Sequence, residues 1–414
     1  MPTAKKKVVS TKKAPAKKAP AKKVSFSARL RAHAKIKPKS QTKRKLAIKK
    51  ILKIAPALTP ASKMHPELLR KHYGNPIIEP RTHMSWESKA TFNPGAVEID
   101  GKVHLLYRAI GDQDISVVGH AVSYDGLTVD QRSDTPAFIP GLGADLKNKI
   151  AGVTPPALSG VYASGGGWWG GSEDPRVTKI EDKIYLTYTA FDGWGSIRVA
   201  LASIAADDFL RQQWQWDKPV FLSPAGEVHK NWVLFPEKIN GKYAILHSIS
   251  PAVLVDYVTD FDAFATDEGA ITSTYDRHSK TGEWDSWVRG MGPPPIKTKF
   301  GWLLLYHAMD VRDPNRYKLG AMIVDLHDPT KILYRSSYPV LEPEEWYENT
   351  GWKAGVVYAC GAIVKAGVLF VYYGGADSVV CVATADLDEF VERLKKDGAA
   401  TLKPGPKAVP TKIT

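Results

Sequence analysis

Cysteine is nearly absent: Cys360 and Cys381 are the two in 414 residues. So few thiols exclude a disulfide framework and fit a reducing compartment, which makes the cytoplasm the expected location. No uninterrupted apolar run approaches the ~20 residues of a membrane-spanning helix. The first residues carry charge without the apolar stretch of a secretory signal, so no membrane association is expected. Clustered His and Cys ligands are missing, and neither a metal nor another cofactor is expected. Long helical periodicity is scarce. It is confined to Leu387–Lys396, a short stretch at 66–72 and a basic stretch near 43–54.

Acidic residues are absent before Glu67, and this changes the meaning of the net charge of +14. Residues 1–60 hold 20 of the 57 Lys and Arg, which leaves 37 basic against 43 acidic residues in the remainder. The basic character therefore belongs to a tail, and the body is mildly acidic. The tail repeats Lys-Lys-Ala-Pro, has little to bury and repels itself, so 1–60 is expected to be disordered. It is either a polyanion-binding arm or a solvated extension. The expected organisation is this tail, a folded body over 61–400 and a C-terminal tail over 401–414.

What the body does contain is aromatic residues, turns and repetition. Trp (12) and Tyr (17) suit a carbohydrate cleft and equally a β-rich core. One pattern, a short strand, a tight turn and an apolar strand, occurs five times: Asn93–Arg108, Asp174–Tyr188, Phe235–His247, Gly292–His307 and Cys360–Tyr373. Asp100-Gly101 and Asn240-Gly241 are hairpin-turn signals in two of the copies. Repeats of this kind, spaced roughly 55–80 residues apart, predict an all-β, five-bladed β-propeller from about 85 to 385. A β-sandwich would explain the strands but not five phased copies. In a propeller the residues just ahead of each hairpin converge at one mouth of the channel. Here those are Asn93, Glu173-Asp174, Lys230-Asn231, Gly290–Pro295 and Tyr358–Gly361.

At these positions the chain resembles glycoside hydrolase family 130, the mannoside phosphorylases and related β-mannosidases. The likeness is carried in order by Gly171-Ser-Glu-Asp-Pro-Arg176, by His229–Tyr243, by Gly290-Met-Gly-Pro-Pro-Pro-Ile296 with Gly301-Trp302 and Tyr306-His307, and by Tyr373-Gly-Gly-Ala-Asp377. It spans roughly 75–392 and leaves the tail outside. The family fold is a five-bladed propeller, in agreement with the repeats.

Inverting cleavage of a glycosidic bond needs an acid on the leaving oxygen and a nucleophile on the opposite face. In a phosphorylase the nucleophile is inorganic phosphate, a co-substrate. The resemblance implies that Asp174 is the acid, acting through the sugar 3-hydroxyl, and that Asp377 contacts a sugar hydroxyl. Glu173, Arg176 and Asn93 join them as candidate sugar contacts. Trp168 and Trp169, in the glycine-rich segment before the acid, are candidates for stacking on the acceptor sugar. Phosphate needs clustered cations. Arg108, Arg198 and Lys230 are the candidates, with His247 and Tyr306-His307 as further donors. One departure stands out: His247-Ser248 occupies a place where many phosphorylases of the family have His-Arg. The hydrolytic members use carboxylates to activate water, and Glu227 and Asp285 are the candidate bases. Three functions follow: an inverting phosphorylase of β-mannoside oligosaccharides releasing mannose 1-phosphate, a β-mannosidase, and a non-catalytic glycan-binding propeller. A homo-oligomer is left open.

Overall fold

The computed structural model describes residues 68–139, 170–191, 197–273 and 284–397. The expected disordered tail, its helix near 43–54 and the C-terminal tail lie outside them. Within the described residues the chain is all-β with a few short helices.

β1 (Arg70–Lys71) precedes the first repeat. β2 (Ala90–Ile99), β3 (Lys102–Ile110), β4 (Ser116–Ser123) and β5 (Gln131–Arg132) follow as an antiparallel set in chain order. β6 (Gly171–Ile180), β7 (Lys183–Phe191), β8 (Ile197–Ala205) and β9 (Val220–Phe221) repeat the arrangement. A single parallel pairing, Ser116 with Gly171, joins the two sets into one eight-stranded sheet. Helix α1 (Ala206–Leu210) lies between β8 and β9. A three-stranded sheet comes next, from β10 (Val233–Leu234), β11 (Tyr243–Ser248) and β12 (Leu254–Val258). A five-stranded sheet is built from β13 (Trp287–Met291), β14 (Ile296–Thr298), β15 (Gly301–Asp310), β16 (Asp313–Val324) and β17 (Ile332–Arg335). After α2 (Trp346–Asn349), the strands β18 (Val357–Lys365), β19 (Val368–Gly375) and β20 (Val379–Asp386) form the last sheet, and α3 (Leu387–Asp397) follows.

The last sheet runs β1-β20-β19-β18, so the first described strand completes a sheet made by the last three. This corrects the helix expected at 66–72. A helix of under two turns is marginal in water, whereas β20 offers Arg70 and Lys71 a ready backbone edge. The helix expected at Leu387–Lys396 is present as α3.

The Asp-Gly and Asn-Gly turns have the backbone their residues favour. Asp100-Gly101, Asn240-Gly241 and Ala366-Gly367 all have positive φ at both positions, the condition for the tightest two-residue turns. The core is divided into layers between successive strand sets. Val97, Leu106 and Val118 pack on Val177, Leu186 and Tyr188. Val199 and Leu201 pack on Trp232, Leu234 and Ile245. Val233 and Leu246 pack on Trp302, Tyr306 and Met322. Leu305 and Leu319 pack on Leu369, Tyr373 and Cys381. Finally, Tyr372, Val380 and Val382 pack on Ala96, Leu105 and Tyr107 of the first set. Both cysteines are buried and unbonded.

A polar device recurs inside these layers. Tyr107 donates to Glu87 at 2.8 Å, and Arg132 reaches both. Tyr306 donates to Asp285 at 2.6 Å, and Arg335 contacts both. Tyr373 donates to Glu348 at 2.8 Å, and Lys71 donates to Glu348 at 2.7 Å. Each buried acid tethers the segment ahead of an inner or outer strand to the middle of its sheet. Its charge is tolerable there because each acid accepts from a tyrosine hydroxyl and from a cation.

Candidate active site

The strands β2, β6, β13 and β18 share an irregularity. In β2 the register shifts between Phe92 and Gly95, and in β6 between Glu173 and Arg176. Equivalent shifts occur at Val288/Gly290 and Ala359/Gly361. Such bulges re-aim side chains. At Asn93-Pro94 and Asp174-Pro175 the residue before proline has positive φ, 49° and 52°. Asn231 (65°) and Asp377 (52°) are also left-handed. Side-chain-bearing residues adopt this conformation at a cost and mainly where the surroundings enforce it, and Asn and Asp tolerate it best. Four of the polar side chains singled out by sequence thus sit at strained backbone positions.

These side chains meet. Asn93 Nδ2 donates to Asp174 Oδ1 at 2.8 Å. Arg108, on β3, donates from Nη1 to Asp174 at 3.3 Å, from Nη2 to Glu173 at 2.8 Å and from Nε to Ser116 Oγ at 2.9 Å. Lys230 Nζ lies 3.7 Å from Glu173 Oε2. Arg108 is 1% exposed and Asp174 4%. A Cβ at Gly374 would lie 2.1 Å from Asn93 Oδ1, so only glycine lets the neighbouring strand approach.

Burial alone would push the Asp174 carboxyl up. The positive charges of Arg108, Arg176 and Lys230, with the Asn93 hydrogen bond, outweigh that and hold it below the usual carboxylate range. Asp377 behaves oppositely. Its burial, reinforced by the negative charges of Asp174 and Glu173 and only partly offset by Lys353 and Arg108, raises it to about 6. Two carboxyls in one field are therefore pushed apart.

The Asp377 shift gives a testable sign. Unfolded, this carboxyl ionises near 3.8; folded, it ionises near 6. Below about pH 3.8 both states are protonated and burial carries no ionisation cost. The cost grows as pH rises and is complete above about 6. Asp377→Asn is therefore expected to be more stable than wild type at pH 7, by about 2–3 kcal/mol. The gain should shrink to nothing as pH falls to about 4. Denaturant midpoints across that range check it; a pH-independent difference would rule it out.

Other sequence candidates have different surroundings. Arg176, placed among the sugar contacts, is 1% exposed and engaged with protein. It donates to the Asp174 carbonyl and Asn231 Oδ1, each at 2.8 Å, to the Gly292 carbonyl at 3.2 Å and to the Met291 carbonyl at 3.3 Å. It is a clasp joining three inner segments. Arg198, a phosphate candidate, donates to the Ser223 carbonyl, pairs with Asp267 and lies over the Phe221 ring, apart from the Asp174 cluster. His247 has Ser273 Oγ at 2.7 Å from Nδ1 and Asp256 at 3.3 Å from Nε2, so both ring nitrogens face protein partners. His307 Nε2 accepts from Ala359 N at 3.0 Å, and burial lowers its pKa to about 3, so it brings no positive charge. Asp285, a candidate base, belongs to the Tyr306–Arg335 tether. Glu227 is 2.7 Å from His229 Nε2 in a buried pair. Trp168 and Trp169 lie outside the described residues.

Two cations were missed. Lys353 supplies the largest compensating positive charge at Asp377, and nothing in its loop sequence marks it. Arg289 lines an open pocket with Lys230, Asn231, His247, Ser248 and Gly290. Its signal was present: it directly precedes the Gly290-Met-Gly-Pro-Pro-Pro block.

Residues 162–396 match a family model, glycoside hydrolase family 130, described as beta-1,4-mannooligosaccharide phosphorylase. The chain belongs to glycoside hydrolase family 130. It is 35% identical over 331 residues to a 1,2-beta-oligomannan phosphorylase of Thermoanaerobacter sp., covering 78% of this chain and 98% of that one. Among solved structures of this family it is similar to the beta-1,2-mannobiose phosphorylase of Listeria innocua in complex with beta-1,2-mannobiose. That similarity has a TM-score of 0.58 at 25% identity and covers 79% of this chain and 99% of the other. A further structure, from work describing family 130 glycoside hydrolases that target beta-1,2 mannosidic linkages in Candida mannan, has a TM-score of 0.57 at 25% identity, covering 76% and 93%. Both activities sought in the sequence thus occur among family 130 relatives. Among the described residues no helix is long and apolar enough to cross a membrane.

Proposed function

We propose that this chain is an enzyme that cleaves β-mannosidic bonds by inverting phosphorolysis, transferring a mannosyl group to inorganic phosphate to give mannose 1-phosphate. In that sense it is a glycosyltransferase-type phosphorylase. The observation that carries the reading is a buried carboxylate, Asp174, ringed by Arg108 and Lys230 and adjoining a pocket that one further cation, Arg289, lines. A phosphate oxygen attacks the anomeric carbon as the bond to the leaving oxygen breaks. The proton needed by that oxygen comes from Asp174 by way of the sugar 3-hydroxyl, as the family resemblance implies.

The depressed pKa of Asp174 makes phosphate more than a nucleophile. With the site empty, the surrounding cations keep this carboxyl ionised. A phosphate anion beside Lys230 offsets that positive field, so the carboxyl's affinity for a proton rises when the co-substrate arrives. Acid and nucleophile are then assembled together. Asp377, Asn93 and Glu173 hold the sugar. The linkage favoured by the more similar named relatives is β-1,2.

The scaffold proposed is a five-bladed propeller over 61–400. Five core layers between successive strand sets, the fifth joining the last set back to the first, support that ring. Location in the cytoplasm, tails at 1–60 and 401–414 beside the body and polyanion binding by the basic tail belong to the same proposal.

A second reading, hydrolysis, is favoured by the Glu227–His229 pair, a carboxylate able to activate water, and by Ser248. One assay separates the two. Mannobiose is supplied with and without phosphate, and products are measured. Mannose 1-phosphate formed in step with added phosphate is expected, with little free mannose in its absence. Equal release of free mannose in both would establish water as the nucleophile.

A further inference from the structure

The loop between α2 and β18, residues 350–355, carries an exposed indole on a fixed backbone. Trp352 N donates to Ser378 Oγ at 3.0 Å, and Lys353 N donates to the Ala376 carbonyl at 3.0 Å. The loop is thus bonded to the residues on either side of Asp377. Its far end is held as well: Gly355 N donates to the Glu348 carbonyl and Tyr317 N to the Gly355 carbonyl, each at 2.9 Å. A Cβ at Gly351 would lie 2.4 Å from Ser378 Oγ and 2.6 Å from the Ala376 carbonyl, so only glycine lets the loop pass this close to the turn. Lys353 lies 4.4 Å over the Tyr317 ring and supplies positive charge at Asp377. Its chain neighbour Trp352 is 44% exposed, whereas Asp377 is 6% exposed. A lone exposed ring on a free loop would call for no explanation. Here the wall of the site runs outward from a buried carboxyl to an indole whose backbone is bonded to the carboxyl's own turn.

We infer that Trp352 is a stacking platform for a sugar of the substrate chain outside the pair joined by the cleaved bond, so that the site favours β-mannoside oligosaccharides over the disaccharide. The inference rests on the reading of this site as one for β-mannosides and deepens it by naming chain length as the property that the loop selects. Asp377 lies deep, at the reacting end. A longer chain leaves the site past the rim, where residues 350–355 stand. The C–H face of a pyranose is apolar and covers an indole well, which takes both surfaces out of water while the sugar hydroxyls stay solvated. Because the loop is already bonded to the Asp377 turn, little order is lost when the sugar arrives.

Initial rates of the full chain on β-1,2-mannobiose and β-1,2-mannotetraose, each with and without phosphate, test this. Trp352→Ala is expected to raise the KM for the tetraose by roughly 3- to 10-fold, the worth of one aromatic stacking contact. The KM for mannobiose should change by less than about twofold, and the loss should fall on KM rather than kcat. Trp352→Phe keeps a flat apolar ring and should lie between wild type and the alanine variant on the tetraose; it serves if the alanine variant does not fold. Because the indole is largely exposed, the thermal midpoint of Trp352→Ala should stay within about 2 °C of wild type. A merely structural role would shift both substrates together and lower that midpoint. Equal effects on the two sugars, or none on the tetraose, would overturn the assignment. If water proves to be the nucleophile while the tetraose-selective effect holds, the phosphorolytic reading fails and the stacking site stands. If phosphorolysis proceeds and wild type and variant treat the two sugars alike, the stacking site fails and the phosphorolytic reading stands.

Discussion

Asp174→Asn is expected to lower turnover of β-mannobiose by on the order of 10²-fold or more, the usual effect of losing a general acid. The substitution keeps the shape of the side chain and a hydrogen-bonding group beside Asn93, so folding should be little changed. What disappears is the proton and the negative charge between Arg108, Arg176 and Lys230. The effect should fall on kcat more than on sugar KM, because the proton is needed in the transition state. A second consequence separates acid loss from general damage. Phosphate should bind the variant at least as tightly as wild type, since a competing anion has been removed. Turnover close to wild type would show that the proton comes from elsewhere, and Asp377, with its raised pKa, would be the next candidate.

Arg176→Ala is expected to destabilise the body by about 3–5 kcal/mol, the range for breaking a buried charged network. Arg176 is not exchangeable for a surface cation. Its donors satisfy the Asp174 carbonyl, Asn231 Oδ1 and the carbonyls of Met291 and Gly292. Asn231 also accepts from Tyr358 at 2.7 Å and donates to the Arg289 carbonyl at 2.8 Å. Removing the guanidinium takes this donor from the carbonyls of Asp174, Met291 and Gly292, while Asn231 Oδ1 keeps only Tyr358. Arg176→Lys should recover little, because a point charge cannot reproduce the planar fork. Thermal or denaturant unfolding checks this. A loss of sugar affinity with unchanged stability would instead make Arg176 a substrate contact.

The contrast between these arginines explains how far the sequence could be read. Arg108, Arg176 and Arg198 looked alike, each in or beside a repeated hairpin. Which one meets Asp174 and Glu173, which clasps carbonyls and which pairs with Asp267 depends on strand register and on bulges. Asp285 and Tyr306 lay within or near the resembling blocks, yet their contacts repeat those of Glu87 with Tyr107 and Glu348 with Tyr373. That repetition is hard to see in the chain because the acid stands 20, 21 or 25 residues before its tyrosine, and the cation comes from a different strand.

By itself the sequence determined the all-β character, since alternating apolar strands and Asp-Gly or Asn-Gly turns dictate local hairpins without distant help. It determined the membership in family 130, through blocks that hold their order along the chain, and it singled out the positions that converge: Asn93, Glu173, Asp174, Lys230 and Asn231. Only the tertiary structure decided what those side chains do to one another. The affinity of a carboxyl for its proton depends on charges gathered from other strand sets, so Asp174 and Asp377, two aspartates of one type in one chain, are driven in opposite directions. Likewise Arg289 acquires a place beside Lys230 because β13 is folded against the segment ahead of β10, a proximity of residues 59 positions apart that no local pattern encodes.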